Sequence, residues 1–237
     1  MTIYIQALHR FPVAEWGLTA LLGFKQIGAN IKFYETIDEV PLNRDMLVVG
    51  FADDTRRWFS EMGVTPPNVP TLPRELSYFT GRFTQHMTLA DASAWTSFPY
   101  FIKPYAHHKQ FDAQLIEKTM DLRALEQEMS PDSMVLISSP VTFQTEYRAF
   151  VIENEWVGLQ HYKGDFRIFP NVDIIRHAIQ SFTSAPVAYG IDFGVLQDHR
   201  TVLIEVNDFW NLDSYGLNAL VYARGLAQRW KQILDLA

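Results

Sequence analysis

VLIEVNDFW, residues 202–210, begins as a buried strand and then breaks its own pattern. Val, Leu, Ile and Val suit a pleated, covered surface. Glu205 interrupts them, and Asn207 and Asp208 close the run. A carboxylate left unpaired in such a strand costs roughly 3–5 kcal/mol, so something must face Glu205. The segment before it, GIDFGVL (190–196), also reads as strand, and Gln197-Asp198-His199-Arg200 is a polar turn. A hairpin closed by that turn pairs Leu196 with Thr201 and sets Asp192 directly opposite Glu205. Opposed residues share a face, with β-carbons about 4.5–5.5 Å apart. Asn207, two positions on, shares that face as well. Two carboxylates and an amide oxygen then converge, a donor set suited to Mg²⁺, which takes hard oxygen ligands and binds through one or two carboxylates plus phosphate. A slipped register, with Glu205 in solvent or paired to an arginine, accounts for the residue chemistry equally well.

A second constellation lies upstream. FIKP puts Lys103 at the end of an apolar strand, and Lys109 follows before the return strand. In PVTFQTEYRAFV, Glu146 and Arg148 stand at i and i+2, hence on one face of their strand. Lys103, Lys109 and Arg148 are cations of the kind that hold a triphosphate beside acidic residues that hold its metal. Each alone reads as an ordinary surface charge.

The surrounding chain divides at one place. Residues 1–65 read as strand, helix, strand, strand, helix. Ile3 and Ile5 open the first strand, residues 15–27 are helical, 31–34 and 46–51 are short strands, and Asp53 or Asp54 caps a helix reaching Met62. That alternation favours a small parallel α/β unit. TPPNVPTLP (65–73) holds four prolines in nine residues and is a stiff connector. The expected organisation is an N-terminal α/β unit over residues 1–73 and a second domain over 74–237. Beyond the connector the reading is mainly β with inserted helices. Strands fall at 100–103 (stopped by Pro104), 111–116 and 134–138, a hairpin joins 146–152 to 156–162, and helices fall at 121–129 (capped by Asp121), 173–182 and 217–236. The class is α/β overall, with α+β character after the connector.

Composition excludes several functions. The chain has 237 residues, 48% hydrophobic and 20% charged, enough for a substantial core. A net charge of −7 argues against general nucleic-acid binding, which needs a cationic footprint. No apolar run approaches the ~20 residues of a membrane helix, and MTIYIQALHR is no secretory signal, so the cytoplasm is expected. Without cysteine there is no thiolate nucleophile or thiolate metal site. P-loop, G-x-S-x-G and H-E-x-x-H motifs are absent.

The order FIKP, LISSPVTFQTEYRAFV, GLQHYKGD, YGIDFGVL, TVLIEVNDFW and DSYGL resembles the ATP-grasp superfamily, and most nearly its divergent R-two-K clade. That clade includes an assembly chaperone for a eukaryotic translation initiation factor and many bacterial and phage proteins. The resemblance spans about residues 78–237, and the N-terminal unit fits the family's pre-grasp domain. It implies an ATP-grasp fold and roles for particular residues. Lys103 would contact the α-phosphate and adenine side of ATP, and Lys109 would reach the phosphates from a lid loop. Residues 137–140, with Ile137, Ser138 and Ser139, would form the adenine hinge. Arg148, with Glu146 beside it, would face the γ-phosphate. Asp192, Glu205 and Asn207 would hold one or two Mg²⁺ ions, with Mn²⁺ as a substitute. Lys109 and Arg148 would be the catalytic cations. The loop Tyr105-Ala106-His107-His108-Lys109 departs from the family's glycine-rich lid, and His107 and His108 fit a surface loop better than a catalytic role.

The implied activity is an ATP- and Mg²⁺-dependent carboxylate–amine ligase working through an acyl phosphate. Its substrates would be a small molecule, peptide or protein carrying the carboxylate and an amine acceptor, with contacts expected from Asn211, Asp213, Ser214 and Tyr215. The alternatives are an ATP-binding assembly factor without ligase turnover, and an α/β binding module that takes no nucleotide. On this reading, removal of Lys103 or Arg148 abolishes turnover and spares the fold, and Glu205→Gln leaves the metal-free protein no less stable.

Overall fold

The computed structural model describes residues 1–105 and 111–235, which build three four-stranded sheets. In the first sheet, β1 (Thr2–Leu8) runs parallel to both β3 (Asn30–Tyr34) and β4 (Met46–Val49), and β2 (Phe11–Pro12) pairs antiparallel with it. This is the expected parallel unit, and Ile3, Ile5 and Leu47 are fully buried in it. Its helices are α1 (Glu15–Gln26) and α2 (Ala52–Glu61). Phe51 occupies the N-cap of α2, and no side chain caps it. Asp53 and Asp54, expected to cap, sit instead in the first turn, where a carboxylate meets the positive end of the helix dipole. Asp54 is engaged elsewhere, accepting from Gln6 Nε2 at 2.6 Å.

The second sheet runs β5 (Thr84–Thr88), β8 (Met134–Ser138), β6 (Tyr100–Pro104), β7 (Gln114–Ile116) in spatial order. One face is covered by α3 (Leu89–Ser93) and α4 (Arg123–Glu128), which close a core around Tyr100, Ile102, Val135 and Ile137. The strand at 134–138 matches its expected bounds. The return strand is shorter than expected, and β6 includes Pro104, which pairs with Val135. Asp121 caps from a different position. Its carboxylate takes the backbone N–H groups of Glu117 and Lys118 ahead of a 3₁₀ turn (Thr119–Leu122).

The third sheet is antiparallel, ordered β10 (Glu155–Gly164), β9 (Phe143–Ile152), β11 (Ala188–Leu196), β12 (Thr201–Asp208). Glu153 and Asn154 make the β9–β10 turn with φ of +53° and +63°, the doubly left-handed conformation that matches strand twist in a two-residue hairpin. On one face α5 (Val172–Ser181) packs over Ala149, Val151, Ile191 and Phe193. The chain ends, among the described residues, in α6 (Ala219–Asp235).

The β11–β12 register differs from the sequence expectation at the turn and agrees with it at the site. Val195, not Leu196, pairs with Thr201, and Phe193 pairs with Leu203. A bulge then skips Ile204, so Asp192 faces Glu205 after all. The one-residue offset at the turn and the bulge cancel. Arg82 secures the bulge, donating to the carbonyls of Leu203 (2.8 Å) and Ile204 (3.4 Å). The connector also contacts β12, where Thr71 O accepts from Val206 N at 2.8 Å.

The largest core joins the first sheet to α6. Trp230 packs on Trp58 and Phe59, with ring centroids 5.5 and 4.5 Å apart, and donates its indole N–H to Met46 O. Arg229, buried in the same helix, makes a two-pronged pair with Asp208 at 2.7 and 2.6 Å. Close approach of α1 and α6 depends on Gly23, where an added β-carbon would lie 1.9 Å from Ala219 O. Gly23→Ala should therefore force the helices apart and cost about 1–3 kcal/mol. Urea unfolding of the variant checks this, and an unchanged midpoint would contradict the packing. Among the described residues no helix is long and apolar enough to cross a membrane.

Candidate active site

Strand alternation places Lys103. Tyr100 and Ile102 point into the core under α3 and α4, so Lys103 projects from the opposite face, in line with Leu136 of β8. Its Nζ reaches Glu205 Oε2 at 2.9 Å and so ties the second sheet to the third. The pair is partly buried, with 12% of the lysine side chain and 30% of the glutamate side chain exposed.

Arg148 and Asp192 stand opposite each other on β9 and β11. The guanidinium grips the carboxylate at both ends, Nε to Oδ1 at 2.7 Å and Nη2 to Oδ2 at 2.8 Å. Only 7% and 3% of the two side chains are exposed. Burial pushes the Asp192 carboxyl up to about 6 against the pull of Arg148, and Glu205 and Glu146 push the same way. Burial also works against the Arg148 charge, yet Asp192 outweighs it and holds the guanidinium above its ordinary value. One state satisfies both, with Arg148 charged and Asp192 ionised at neutral pH. Asn207 completes the group, its Nδ2 donating to Asp192 Oδ2 (3.3 Å) and Glu205 Oε1 (3.2 Å).

Two tyrosines frame the arginine. Its guanidinium carbon lies 4.9 Å from the Tyr215 ring centre and 5.8 Å from that of Tyr162, and the two rings stack at 4.9 Å. Tyr162 donates its hydroxyl to Glu146 Oε2 at 2.9 Å, and Lys163 pairs with Glu146 Oε1 at 2.8 Å. Burial, then Asp192 and Glu146, push the Tyr162 phenol far above its usual range, so it stays a donor.

Asp192, Glu205 and Asn207 thus converge as expected, but not as bare opposed charges. Arg148 compensates Asp192, and Glu205 is compensated by Lys103, a lysine rather than the arginine of the alternative reading, with the register facing Asp192 rather than slipped. Among the described residues no cluster of three or more His, Cys, Asp or Glu is arranged to hold a metal. An ion here would rest on two carboxylates, the Asn207 amide and the ligands it brings. Those hard oxygen donors fit Mg²⁺, provided the Asn207 amide turns its oxygen inward, a rotation that preserves its shape.

Other expected residues fall differently. Ile137 and Ser138 lie in β8 between β5 and β6, and the Ser139 N–H already donates to Phe83 O at 3.0 Å. Of the backbone groups expected in the hinge, that donor is therefore already engaged. Lys109, His107 and His108 lie outside the described residues. A cleft of about 300 Å³ opens beside the pairs, lined by Arg56, Arg148, Glu205, Asn207, Asp213 and Tyr215 among others, and Asn211 also lines it. Ser214 does not, being fully buried and hydrogen-bonded to Glu15 and Thr19 of α1. Sequence reasoning missed Arg56, Arg82 and Tyr162. Nothing local distinguishes Arg56 from its helical neighbour Arg57, and Arg82 matters only through a bulge that the sequence does not mark.

A family model described as ATP-grasp domain, R-two-K clade family 2, matches residues 79–224. No curated protein matches. Among solved structures, the chain is similar to D-cycloserine synthetase DcsG at 11% identity and a TM-score of 0.65, covering 97% of this chain and 100% of that one. D-alanine–D-alanine ligase from Bacillus anthracis complexed with ATP matches at 12% identity and a TM-score of 0.52, covering 99% and 96%. The ATP-grasp ligase PsnB complexed with minimal precursor, Mg and ADP matches at 13% identity and 0.50, covering 97% of each chain. Likeness at such identities is a likeness of fold.

Proposed function

Because the chain belongs to the ATP-grasp family, in its R-two-K clade, we propose that it is an ATP- and Mg²⁺-dependent carboxylate–amine ligase. The observation that carries this reading is the interleaving of Asp192, Glu205 and Asn207 with Lys103 and Arg148, three of which (Arg148, Glu205 and Asn207) line one cleft. Residues 1–73 would serve as the pre-grasp unit and residues 74–237 as the nucleotide-binding part. A substrate carboxylate oxygen would bond to the γ-phosphorus as the β,γ-bridge breaks, giving an acyl phosphate and ADP. An amine would then form the C–N bond, lose a proton and expel phosphate.

Transfer of this kind rests on positioning and charge stabilisation rather than on a covalent nucleophile. Mg²⁺ held by Asp192, Glu205 and Asn207 would neutralise charge on the phosphate oxygens. Lys103 would exchange Glu205 for a phosphate as the nucleotide enters. Arg148 keeps Nε and Nη2 on Asp192, while among the described residues Nη1 donates to the Asp213 carbonyl, at a long 3.4 Å, and is the donor best placed for the phosphoryl group. The stacked tyrosines flank the guanidinium, and Lys109 would add a further cation.

Binding of Mg²⁺ and ATP to the folded state alone should raise stability by about 2.7 kcal/mol at 100 times the dissociation constant. Thermal melts with ATP, with Mg²⁺ and with both measure it. A midpoint indifferent to the pair would remove the nucleotide reading. ADP release on adding carboxylates with amines then separates a ligase from a protein that only binds ATP.

A further inference from the structure

We propose that Asp213 receives the acceptor amine, holding it as an ammonium ion beside the cleft in which the acyl phosphate forms. This rests on the ligase reading above and gives the acceptor its own compartment and its own residue. The other carboxylates around the proposed metal site each have a cation. Glu205 has Lys103, Asp192 has Arg148, Asp208 has Arg229 and Glu146 has Lys163. Asp213 differs from them. The residue is exposed, and its carboxylate makes no hydrogen bond or ion pair among the described residues. Its backbone is nonetheless tied to the site, because its carbonyl accepts from Arg148 Nη1, the donor assigned above to the phosphoryl group.

Asp213 lines two cavities. One is the cleft of about 300 Å³ that it shares with Arg148, Glu205 and Asn207. The other is an open cavity of about 570 Å³, where Asp213 and Tyr215 meet Glu15 and Trp16 from the start of α1. The two differ in charge. Arg56 and Arg148 line the first, whereas no lysine or arginine is among the described residues lining the second, which has two carboxylates and two aromatic side chains. Carboxylates and aromatic faces both attract ammonium, and neither suits an anion. Glu15 is already engaged, its Oε1 accepting from the hydroxyls of Thr19 and Ser214 and from the Gly216 N–H. That leaves Asp213 as the anchor.

One residue thus supplies a carbonyl to Arg148 and a carboxylate to the second cavity, so a nitrogen held there lies next to the group it attacks. The bound ammonium first gives one proton to water. Its lone pair then bonds to the acyl carbon, the bond from that carbon to the phosphate oxygen breaks, and phosphate leaves. The second proton shed by nitrogen passes to the Asp213 carboxylate and from there to solvent.

The test uses the full chain with Mg²⁺–ATP, a panel of amino acids, dipeptides and other small carboxylic acids, and a cell extract. Hydroxylamine at high concentration traps an acyl phosphate as a hydroxamate without needing a docking site. Primary amines, diamines and amino-acid amides then report docking, read as amide product and ADP release. Asp213→Asn keeps the shape of the side chain and removes its charge. It should raise the KM for the amine on the order of 10- to 100-fold, the loss of one charge-assisted hydrogen bond. Hydroxamate formation, and Mg²⁺–ATP affinity measured by calorimetry, should hold. Asp213→Glu should restore part of the amine affinity, and Asp198→Asn, in the turn between β11 and β12, should leave it at the parental value. An unchanged amine KM in Asp213→Asn, or equal losses of hydroxamate and amide, would overturn the role of Asp213 and leave the ligase reading standing. Hydroxamate without amide from any amine or from the extract would overturn the acceptor site and keep the acyl phosphate. ATP binding with neither ADP release nor hydroxamate from any acid or from the extract would overturn both.

Discussion

Arg148→Ala should lose about 3–5 kcal/mol of stability, because it strands the Asp192 carboxylate in a site that water scarcely reaches. It should also lose ATP turnover by a factor on the order of 100 or more, as expected when a preorganised cation is removed from developing charge. The fold is therefore not spared, in contrast to the expectation from sequence, since the same guanidinium is both a proposed phosphate donor and the partner of a buried anion. A second variant separates the two roles. Replacing both partners, Arg148→Met with Asp192→Leu, removes the pair without leaving a charge behind and should recover much of the lost stability. Turnover should stay absent in the double variant. Urea unfolding and ADP release measure the two effects, and an Arg148→Ala protein as stable as the parent would contradict the pairing.

Glu205→Gln should act on the nucleotide far more than on the fold. Loss of one charged ligand should abolish the stabilisation by Mg²⁺ and ATP and cut turnover on the order of 100-fold. The metal-free protein should become less stable by only about 1 kcal/mol, since glutamine still accepts from Lys103 in a pair that is partly open to solvent. The sequence expectation of no loss took Glu205 to oppose Asp192 without a cation, and Lys103 reverses its sign. Thermal melts of parent and variant, each with and without Mg²⁺–ATP, measure all four states. Loss of several kcal/mol without nucleotide, alongside an intact nucleotide shift, would mark Glu205 as structural.

Strands built from long apolar runs were legible because their burial is written in every residue. MVLIS became β8 unchanged, and the hairpin at Glu153-Asn154 announced itself through turn chemistry. The edge strand β5, TQHMT, did not, since it buries one residue and its remaining side chains carry no apolar period. Residues 74–99 consequently yielded no element. At the site, residue types and strand faces were legible, and Asp192 does stand across from Glu205. Ile204 looks like any other strand residue, so the bulge that restores this register leaves no trace in the sequence. Partners were less legible still. Lys103 meets Glu205 across 102 positions, and Ser214 leaves the solvent for Glu15 across 199. Such pairs belong to the third dimension, and polarity alone assigns their members to the surface.

Packing of α6 against the first sheet bears on how the protein is made. Trp58, Phe59 and the strands beneath them emerge from the ribosome early, but the Trp230 and Ile233 side chains that cover them are among the last described residues to be synthesised. At roughly 5–20 residues per second, the exposed half of that core waits on the order of ten seconds or more for its lid. During that interval the nascent chain displays a sheet with two large aromatic side chains uncovered, a surface suited to holdase chaperones. The first sheet thus closes only after the strands of both other sheets have been synthesised.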